Sequence, residues 1–244
     1  MIRLRSVVKS YERRVLSSLD LHVERGTLYG LVGPGAAGKS VVLKVIAGLV
    51  RPESGTVEVG ETDVGRLDEL GLAEHRKHVG MVFQNNALFD FMTVGENVAF
   101  PLRRLESLPE PEIQRRVTDR LARVGLPGFE ARSPSGLSGG QKKRVAVARA
   151  TVISAPVVLY DEPAAGLDPV SSQRLFDLLR EEQRKAGNTV VMVSSDVDRL
   201  LTVTDRVGVM HEGRVVFEGS TDLARESDHP VVRQFLRGEL EGPL

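Results

Sequence analysis

The chain has 244 residues, of which 33 are Lys or Arg and 33 are Asp or Glu, so its formal net charge is zero. A protein that binds duplex nucleic acid needs surplus cations to neutralise phosphates, so this balance argues against that class. The hydrophobic share of 41% is typical of a globular protein, and the absence of cysteine excludes disulfides, thiolate metal sites and a cysteine nucleophile.

Neither the N-terminal stretch nor any apolar run of the chain predicts a membrane segment. The N-terminal stretch MIRLRSVVKSYERR is too charged for the core of a signal peptide. The longest apolar runs, such as Val190–Val193, are far shorter than the roughly 18 residues needed to span a bilayer. We therefore expect a soluble, cytoplasmic chain that reaches a membrane only through a partner.

The first half of the chain predicts short strands that alternate with polar turns. The third of these strands, Leu28–Val32, runs into a glycine-rich turn, and apolar residues at helical spacing follow over Val41–Leu49. The other strands are predicted at Ile2–Val8, Val15–Val23, Gly55–Val59 and Val79–Phe83.

The second half begins with a helical stretch and returns to strands. Apolar residues recur every three or four positions from about Gly95 to Ala155, with a helix expected over Gln141–Ile153. A strand at Val157–Tyr160, a helix from Asp168 through Lys185, a strand at Thr189–Val193, a hairpin at Val207–Met210 and Val215–Phe217, and a last helix near Val231–Leu236 follow. This alternation predicts an α/β core with a helical subdomain between its halves.

The segment Gly33–Ser40 fits the pattern G-x-x-x-x-G-K-[ST] in full. Its backbone amides can surround phosphate oxygens, and the following helix adds the positive end of its dipole. Lys39 would neutralise the β- and γ-phosphates, and Ser40 would hold Mg²⁺. A glycine-rich turn with a solvated lysine is the alternative, but the strand before and the helix after favour a phosphate loop.

Two acidic residues follow the apolar strand that starts at Val157. In a parallel sheet, the end of a buried strand places such carboxylates beside a phosphate loop. Asp161 would hold the magnesium shell, and Glu162 would orient a water in line with the γ-phosphate. An ordinary turn is the alternative interpretation of this pair on its own.

A second candidate anion site lies at Leu137, Ser138, Gly139, Gly140 and Gln141, directly before a predicted helix. Two phosphate-binding elements so far apart in sequence predict one nucleotide held from both sides.

In order, Gly33–Ser40, Gln84, Leu137–Gln141, Val157–Pro163 and Ala165–Pro169 resemble the motifs of ATP-binding cassette ATPases, along essentially the whole chain. The resemblance implies one α/β domain of the P-loop NTPase fold, with ATP and Mg²⁺ as cofactors. It implies a RecA-like nucleotide-binding core with an N-terminal antiparallel β subdomain, an inserted α-helical subdomain that carries the signature, and a C-terminal tail. The corresponding ranges are 1–94 and 156–220 for the core, 95–155 for the helical subdomain and 221–244 for the tail.

The resemblance also implies that two copies close head-to-tail, with the phosphate loop of one copy meeting residues 137–141 of the other. Ser138 and Gly140 would then contact the γ-phosphate across the interface, and Asp168 would lie between the two sites. Tyr11 lies where the family places a ring against adenine, with a strand-edge aromatic as the alternative. The implied ATP-binding residues are Tyr11, Gly33, Pro34, Gly35, Ala36, Ala37, Gly38, Lys39, Ser40 and Val41; the catalytic residues are Glu162, Gln84, Lys39 and Ser195; the magnesium ligands are Ser40, Gln84 and Asp161.

The sequence departs from the family pattern at three positions. Ala36 replaces a glycine, which is tolerable only if the backbone there keeps a negative φ. Val41 replaces Thr or Ser and loses one hydrogen bond to the nucleotide. Ser195 stands where the family has a histidine that contacts the γ-phosphate. We therefore expect intact ATP binding and hydrolysis that is slowed but not abolished.

A cassette without a membrane segment implies permease subunits in the membrane. The apolar residues of Asn85–Leu102 would form part of the groove that receives a permease helix, or else ordinary subdomain core. This segment and the ending Val232–Pro243 resemble the ATPases of Mla and MCE-type lipid transporters. That resemblance implies phospholipid cargo, MCE-domain and small accessory partners, and a peripheral position on the cytoplasmic side of the inner membrane.

Three interpretations remain open beside phospholipid transport. The first is the ATPase of another class of transporter. The run Lys142–Arg144 does not add a nucleic-acid function, because it is interpreted as a solvated face or subunit salt bridges. A nucleotide-gated structural or regulatory subunit with little or no turnover is motivated by Ala36, Val41 and Ser195. A soluble cassette of DNA repair or translation would usually carry two cassettes or a long coiled-coil insertion, and this sequence has neither.

Overall fold

Two β-sheets and a group of helices organise residues 1–244, all of which the computed structural model describes. The strands are β1 (Ile2–Ser10), β2 (Arg14–Val23), β3 (Leu28–Val32), β4 (Ser54–Val59), β5 (Thr62–Asp63), β6 (Val79–Val82), β7 (Val157–Asp161), β8 (Thr189–Val193), β9 (Arg206–His211) and β10 (Arg214–Ser220). The helices are α1 (Lys39–Ile46), α2 (Glu69–Lys77), α3 (Val94–Leu105), α4 (Glu110–Arg123), α5 (Gly139–Thr151), α6 (Pro169–Ala186), α7 (Val197–Val203), α8 (Thr221–Glu226) and α9 (Pro230–Arg237).

The smaller sheet is antiparallel, in the order β2-β1-β4-β5. The central strand β1 places Ile2 opposite Val23 of β2 and Val59 of β4. All three side chains are buried, since this sheet covers the first helix and one face of the larger sheet with its apolar side. The antiparallel N-terminal sheet expected from the family resemblance is confirmed.

The larger sheet has the order β10-β9-β3-β8-β7-β6 and is parallel except for β10. Every residue of β3, β7 and β8 is buried, because helices or the small sheet cover both faces. The carboxyl ends of these strands therefore bring the segments after Val32, Asp161 and Val193 to one edge of the sheet.

The predicted helical insertion is present as α3, α4 and α5, which pack around buried residues such as Val98, Leu121 and Val145. Ser138 caps α5, which is why this helix starts at Gly139, two residues before its predicted start. Helix α2 was not predicted, because only Leu72 and His75 of its residues are buried and the pattern is weak. No helix in the structure has both the length and the apolar character that a bilayer crossing requires.

Candidate nucleotide-binding site

The turn between β3 and α1 has a backbone that only glycine accommodates at two positions. Gly33 has a φ of 144°, and a Cβ there would lie 2.2 Å from the carbonyl oxygen of Met210. Gly38 has a φ of 99°, and a Cβ there would lie 2.8 Å from the carbonyl oxygen of Val15. No side chain caps the start of α1, which leaves its first amides available to an anion. The local geometry therefore matches a phosphate loop.

Ala36 corrects one expectation. Its φ is +60°, so the backbone does not keep the negative φ that the sequence argument required for an alanine. The amide of Ala37 donates to the carbonyl of Pro34 at 3.3 Å, and Ala36 occupies the third position of that turn, where a type II turn requires a positive φ. A left-handed conformation costs an alanine about 1–2 kcal/mol, and the loop tolerates that strain in a residue exposed to solvent.

Lys39 folds back over the loop that precedes it. Its ammonium donates to the carbonyl oxygens of Gly33 at 2.6 Å and Pro34 at 2.8 Å. Burial lowers the pKa of Lys39, and the nearby carboxylates of Glu162 and Asp161 oppose that shift. The Lys39 ammonium therefore already lies at the loop whose backbone amides would bind a phosphate.

Ser40 and Asp161 meet at the edge of the larger sheet. The Ser40 hydroxyl donates to Oδ1 of Asp161 at 2.8 Å, and Asp161 is buried. Mg²⁺ prefers oxygen ligands, of which water and phosphate usually supply several. A hydroxyl next to a carboxylate therefore suits this ion. The structure holds no group of three or more His, Asp or Glu side chains that could enclose a metal, so a nucleotide would have to complete this shell.

Glu162 follows directly and is held from several sides. Its φ is +49°, and its amide donates to the carbonyl of Val193 at 3.0 Å. Its carboxylate oxygen Oε2 accepts from the backbone amide and from the hydroxyl of Ser195, both at 3.0 Å. The structure thus brings Ser195 to the carboxylate that was predicted to orient water.

Gln84 and Tyr11 lie further out. Gln84 follows β6 by two positions, and its side chain is exposed. Tyr11 occupies the turn between β1 and β2 with 59% of its surface exposed, and the Lys9 ammonium lies 5.4 Å from its ring centre. The phosphate loop borders a cleft of about 730 Å³ that Arg13, Arg14 and His211 also line, whereas Tyr11 does not line it.

The segment Leu137–Gln141 forms a reciprocal cap at the start of α5. The Gln141 amide donates to the Ser138 hydroxyl at 3.3 Å, and the Ser138 amide donates to the Gln141 side chain at 2.9 Å. Leu137 is buried, whereas Ser138 and Gly139 are exposed at the helix end. The polar part of the segment is therefore open to a partner.

Asp168 caps the start of α6. Its carboxylate accepts from the amides of Val170 at 3.0 Å and Ser171 at 2.9 Å. A hydrogen bond from the Ser171 side chain lowers the pKa of Asp168 most, and the amide hydrogen bonds of Ser171 and Val170 lower it further. The residue therefore has a local structural role whether or not it lies at an interface between copies.

Within the run Lys142–Arg144, expected to be a solvated face or to form subunit salt bridges, Lys143 does not face solvent. Lys143 is 5% exposed, and its ammonium donates to the carbonyl of Gln84 at 2.7 Å and, more weakly, to that of Glu162 at 3.5 Å. The prediction was wrong for Lys143 because α5 is packed on nearly all sides, so that a charge run along it cannot all face water. Sequence reasoning also missed Asn97, a polar residue on the apolar face of α3.

Comparison with known proteins decides the family. Residues 16–165 match the model of the ABC transporter family. The chain belongs to the ABC transporter family.

Relatives within the ABC transporter family align along nearly the whole chain. The chloroplastic protein TRIGALACTOSYLDIACYLGLYCEROL 3 of Arabidopsis thaliana is 38% identical over all of this chain and 75% of its own length. The intermembrane phospholipid transport system ATP-binding protein MlaF of Haemophilus influenzae is 36% identical over 97% of this chain and 89% of its own length. The methionine import ATP-binding protein MetN of Caulobacter vibrioides is 40% identical over all of this chain and 74% of its own length.

Among solved structures, the fold is similar to the dimeric post-hydrolysis state of the ATP-binding cassette MJ0796 bound to ADP and Pi. The TM-score is 0.84 at 30% identity, over 91% of this chain and 99% of that one. The α/β P-loop fold is therefore confirmed, and this ABC transporter ATPase takes ATP and Mg²⁺ as cofactors. Ser40 and Asp161 would hold Mg²⁺, which would neutralise charge on the phosphates.

Proposed function

We propose that the chain is the ATP-hydrolysing subunit of a membrane transporter for phospholipid. The observation that carries the hydrolytic part is the Glu162 carboxylate, which two donors of Ser195 hold beside the Ser40–Asp161 pair. A phosphate loop, a magnesium site and a fixed carboxylate then lie at one edge of a single sheet, as in-line attack of water on a γ-phosphate requires.

In this proposal each residue at the site has one task. Lys39 leaves its loop carbonyls to neutralise the β- and γ-phosphates, and Ser40 and Asp161 hold Mg²⁺, with Gln84 reaching the ion and the water. Glu162 accepts a proton from the attacking water, a contribution that is typically worth about 10²–10⁴ in rate.

We propose that two copies bind nucleotide between them, head-to-tail. The exposed Ser138 of one copy, with Gly140, would face the phosphate loop of the other, and Asp168 would lie between the sites. The dimeric state of the MJ0796 cassette supports this arrangement. The start of α5 supports it further, since a helix N-terminus open to solvent is suited to binding a phosphate.

A permease helix would dock in a cleft of about 380 Å³ between the core and the helical subdomain. The cleft is mainly apolar, and Phe89 and Phe100 pack within it with ring centres 5.0 Å apart. Phe91, with 82% of its surface exposed, lies 5.7 Å from Phe89 and offers a further apolar contact. The chain would thereby sit on the cytoplasmic face of the inner membrane.

Phospholipid cargo and MCE-domain and accessory partners rest on similarity. One relative is named for intermembrane phospholipid transport, and the segment Asn85–Leu102 and the ending Val232–Pro243 resemble the same type of transporter. The methionine importer has a comparable sequence identity to this chain, because the ATPase core does not contact cargo. Copurification of an MCE-domain protein with the chain and its permease would support the lipid assignment, whereas copurification of a solute-binding protein would contradict it.

The hydrolytic part is tested with Glu162→Gln, which keeps the size of the side chain and removes the base. We expect hydrolysis of MgATP to fall by about 10² or more, because a general base contributes about 10²–10⁴ in rate. ATP binding, measured with a fluorescent nucleotide, should remain. Glu61→Gln, at an exposed position, is the matched control and should change neither quantity. Turnover in Glu162→Gln within a factor of two of the native rate would contradict the proposal.

One observation favours a second candidate, a nucleotide-gated structural subunit with little turnover. Ser195 provides two hydrogen bonds to Glu162 but has no charge and little reach, so the γ-phosphate contact that the family histidine makes would be missing. Both candidates predict ATP binding and dimerisation, and they differ in the hydrolysis rate.

A further inference from the structure

Lys143 is a buried cation without a carboxylate partner. Only 5% of it is exposed, and its ammonium forms no ion pair with any Asp or Glu of the chain. Its partners are two backbone carbonyls, those of Gln84 and Glu162. Burial lowers the pKa of Lys143, and the charge of Glu162 opposes this effect.

Such an environment is unfavourable for a lysine unless it fulfils a specific need. An ammonium taken out of water loses several kcal/mol of hydration, which carbonyl hydrogen bonds offset only in part. The neighbouring buried positions of α5, Val145, Ala146 and Val147, are apolar. An apolar residue at position 143 would fill the same space but would make neither hydrogen bond.

The first carbonyl belongs to the segment that carries Gln84. A second cation of α5 binds the same segment. Arg149 donates to the carbonyls of Asn86 and Ala87, both at 2.7 Å. Asn86 and Ala87 have φ values of 60° and 50°, which non-glycine residues seldom adopt. Helix α5 therefore holds a strained turn directly after Gln84 by hydrogen bonds from two side chains.

The second carbonyl belongs to Glu162, whose backbone is also strained, with a φ of +49°. Its carbonyl also accepts from the amide of Ala165 at 3.2 Å. A strained conformation persists only where the surroundings fix it from several directions. The Lys143 ammonium is the one side-chain donor to that carbonyl.

We propose that Lys143 is a positioning residue of the ATPase site. Its ammonium joins α5 to the backbones of Gln84 and Glu162. One cation thereby positions both the glutamine and the general base of the site. The inference rests on the proposed function of ATP hydrolysis. It assigns Lys143 no contact with nucleotide.

The test is Lys143→Met, which fills the same space without a donor. We expect kcat for MgATP to fall tenfold or more while KM changes less than twofold, because binding residues are untouched. In the nucleotide-free chain, hydrogen exchange of the amides of residues 84–87 should become at least fivefold faster. Lys143→Arg, which keeps a cationic donor, should recover kcat to within about threefold of the native value.

Lys142→Met is the matched control, since Lys142 is the adjacent lysine and makes no side-chain hydrogen bond. It should leave kcat and the exchange unchanged. If Lys143→Met does not fold, Lys143→Gln replaces it, because an amide retains donors in a neutral group, and the same direction of change is expected.

Turnover in Lys143→Met within twofold of native, or unchanged exchange at 84–87, would overturn the inference. A native chain that hydrolyses no ATP would contradict the proposed function instead. In that case the exchange comparison would still decide whether Lys143 holds the Gln84 segment.

Discussion

Ser195 orients the Glu162 carboxylate with both its backbone and its side chain. Its backbone amide donates to the Glu162 carboxylate whatever side chain is present, and its hydroxyl adds a second bond to the same oxygen. The carboxylate is therefore well oriented without a histidine. A serine side chain is too short to extend further to a γ-phosphate while it remains bound to Glu162.

This geometry predicts that Ser195→His raises the ATPase rate. The amide bond to Glu162 remains, and the imidazole adds a donor near the transferring phosphoryl group. A gain of about tenfold is expected, since a donor aimed at transition-state charge contributes about 10²–10³ in favourable cases. Steady-state turnover of MgATP measures it, and Asp198→His, at an exposed position on the next helix, is the control. An unchanged rate would show that the missing histidine does not limit turnover, and Ser195 would no longer favour a nucleotide-gated subunit.

At the level of whole elements, the loop before α3 depends on one amide. Asn97 is fully buried, and its side chain donates to the carbonyls of Phe89 at 3.0 Å, Met92 at 3.3 Å and Thr93 at 3.0 Å. Its oxygen accepts from the Phe89 amide at 2.9 Å. The loop that borders the apolar cleft of Phe89 and Phe100 is thus fixed by the helix that follows it.

Asn97→Ala should therefore destabilise the chain. Removing the amide leaves the Phe89 N–H and the Met92 carbonyl without partners, whereas the Phe89 and Thr93 carbonyls still accept from backbone amides. Each group left unpaired costs about 1–3 kcal/mol. We expect a loss of at least about 2 kcal/mol in the free energy of unfolding, measured by urea denaturation. Asn85→Ala is the matched control, because Asn85 is exposed, and should change stability by less than about 0.5 kcal/mol. Equal effects of the two substitutions would contradict the role of Asn97.

The strands of the core were predictable because their burial is uniform. β3 and β8 have the predicted bounds, and β7 extends one residue beyond its prediction, since apolar runs between polar turns leave little choice. Lys143 and Ala36 were not predictable. Whether a lysine on a helix faces water depends on what packs against that helix, and the sign of φ at Ala36 depends on how the turn closes over Ala37.

For the whole molecule, the question is what joins the helical subdomain to the core. A charged pair crosses between them, because Arg120 of α4 donates to Glu182 of α6. Their side chains are only 12% and 8% exposed. Burial lowers the pKa of Arg120, and the charge of Glu182 opposes the shift.

A pair of this kind predicts a strongly non-additive mutant cycle. Arg120→Met leaves the Glu182 carboxylate buried without a partner, and breaking a buried pair in this way costs about 3–5 kcal/mol. The double variant Arg120→Met/Glu182→Met removes the unpaired charge and should recover most of that loss. Denaturant unfolding of the native chain, both single variants and the double variant measures the coupling.

Arg115→Met is the control for that cycle. Arg115 lies on the same helix α4 and pairs with Glu112, but its side chain is 62% exposed, so its removal should cost no more than about 1 kcal/mol. If Arg120→Met costs as little as Arg115→Met, the pair is solvated and does not join the two parts of the molecule. If the double variant remains as unstable as Arg120→Met, the loss comes from packing at the α4–α6 contact and not from the stranded charge.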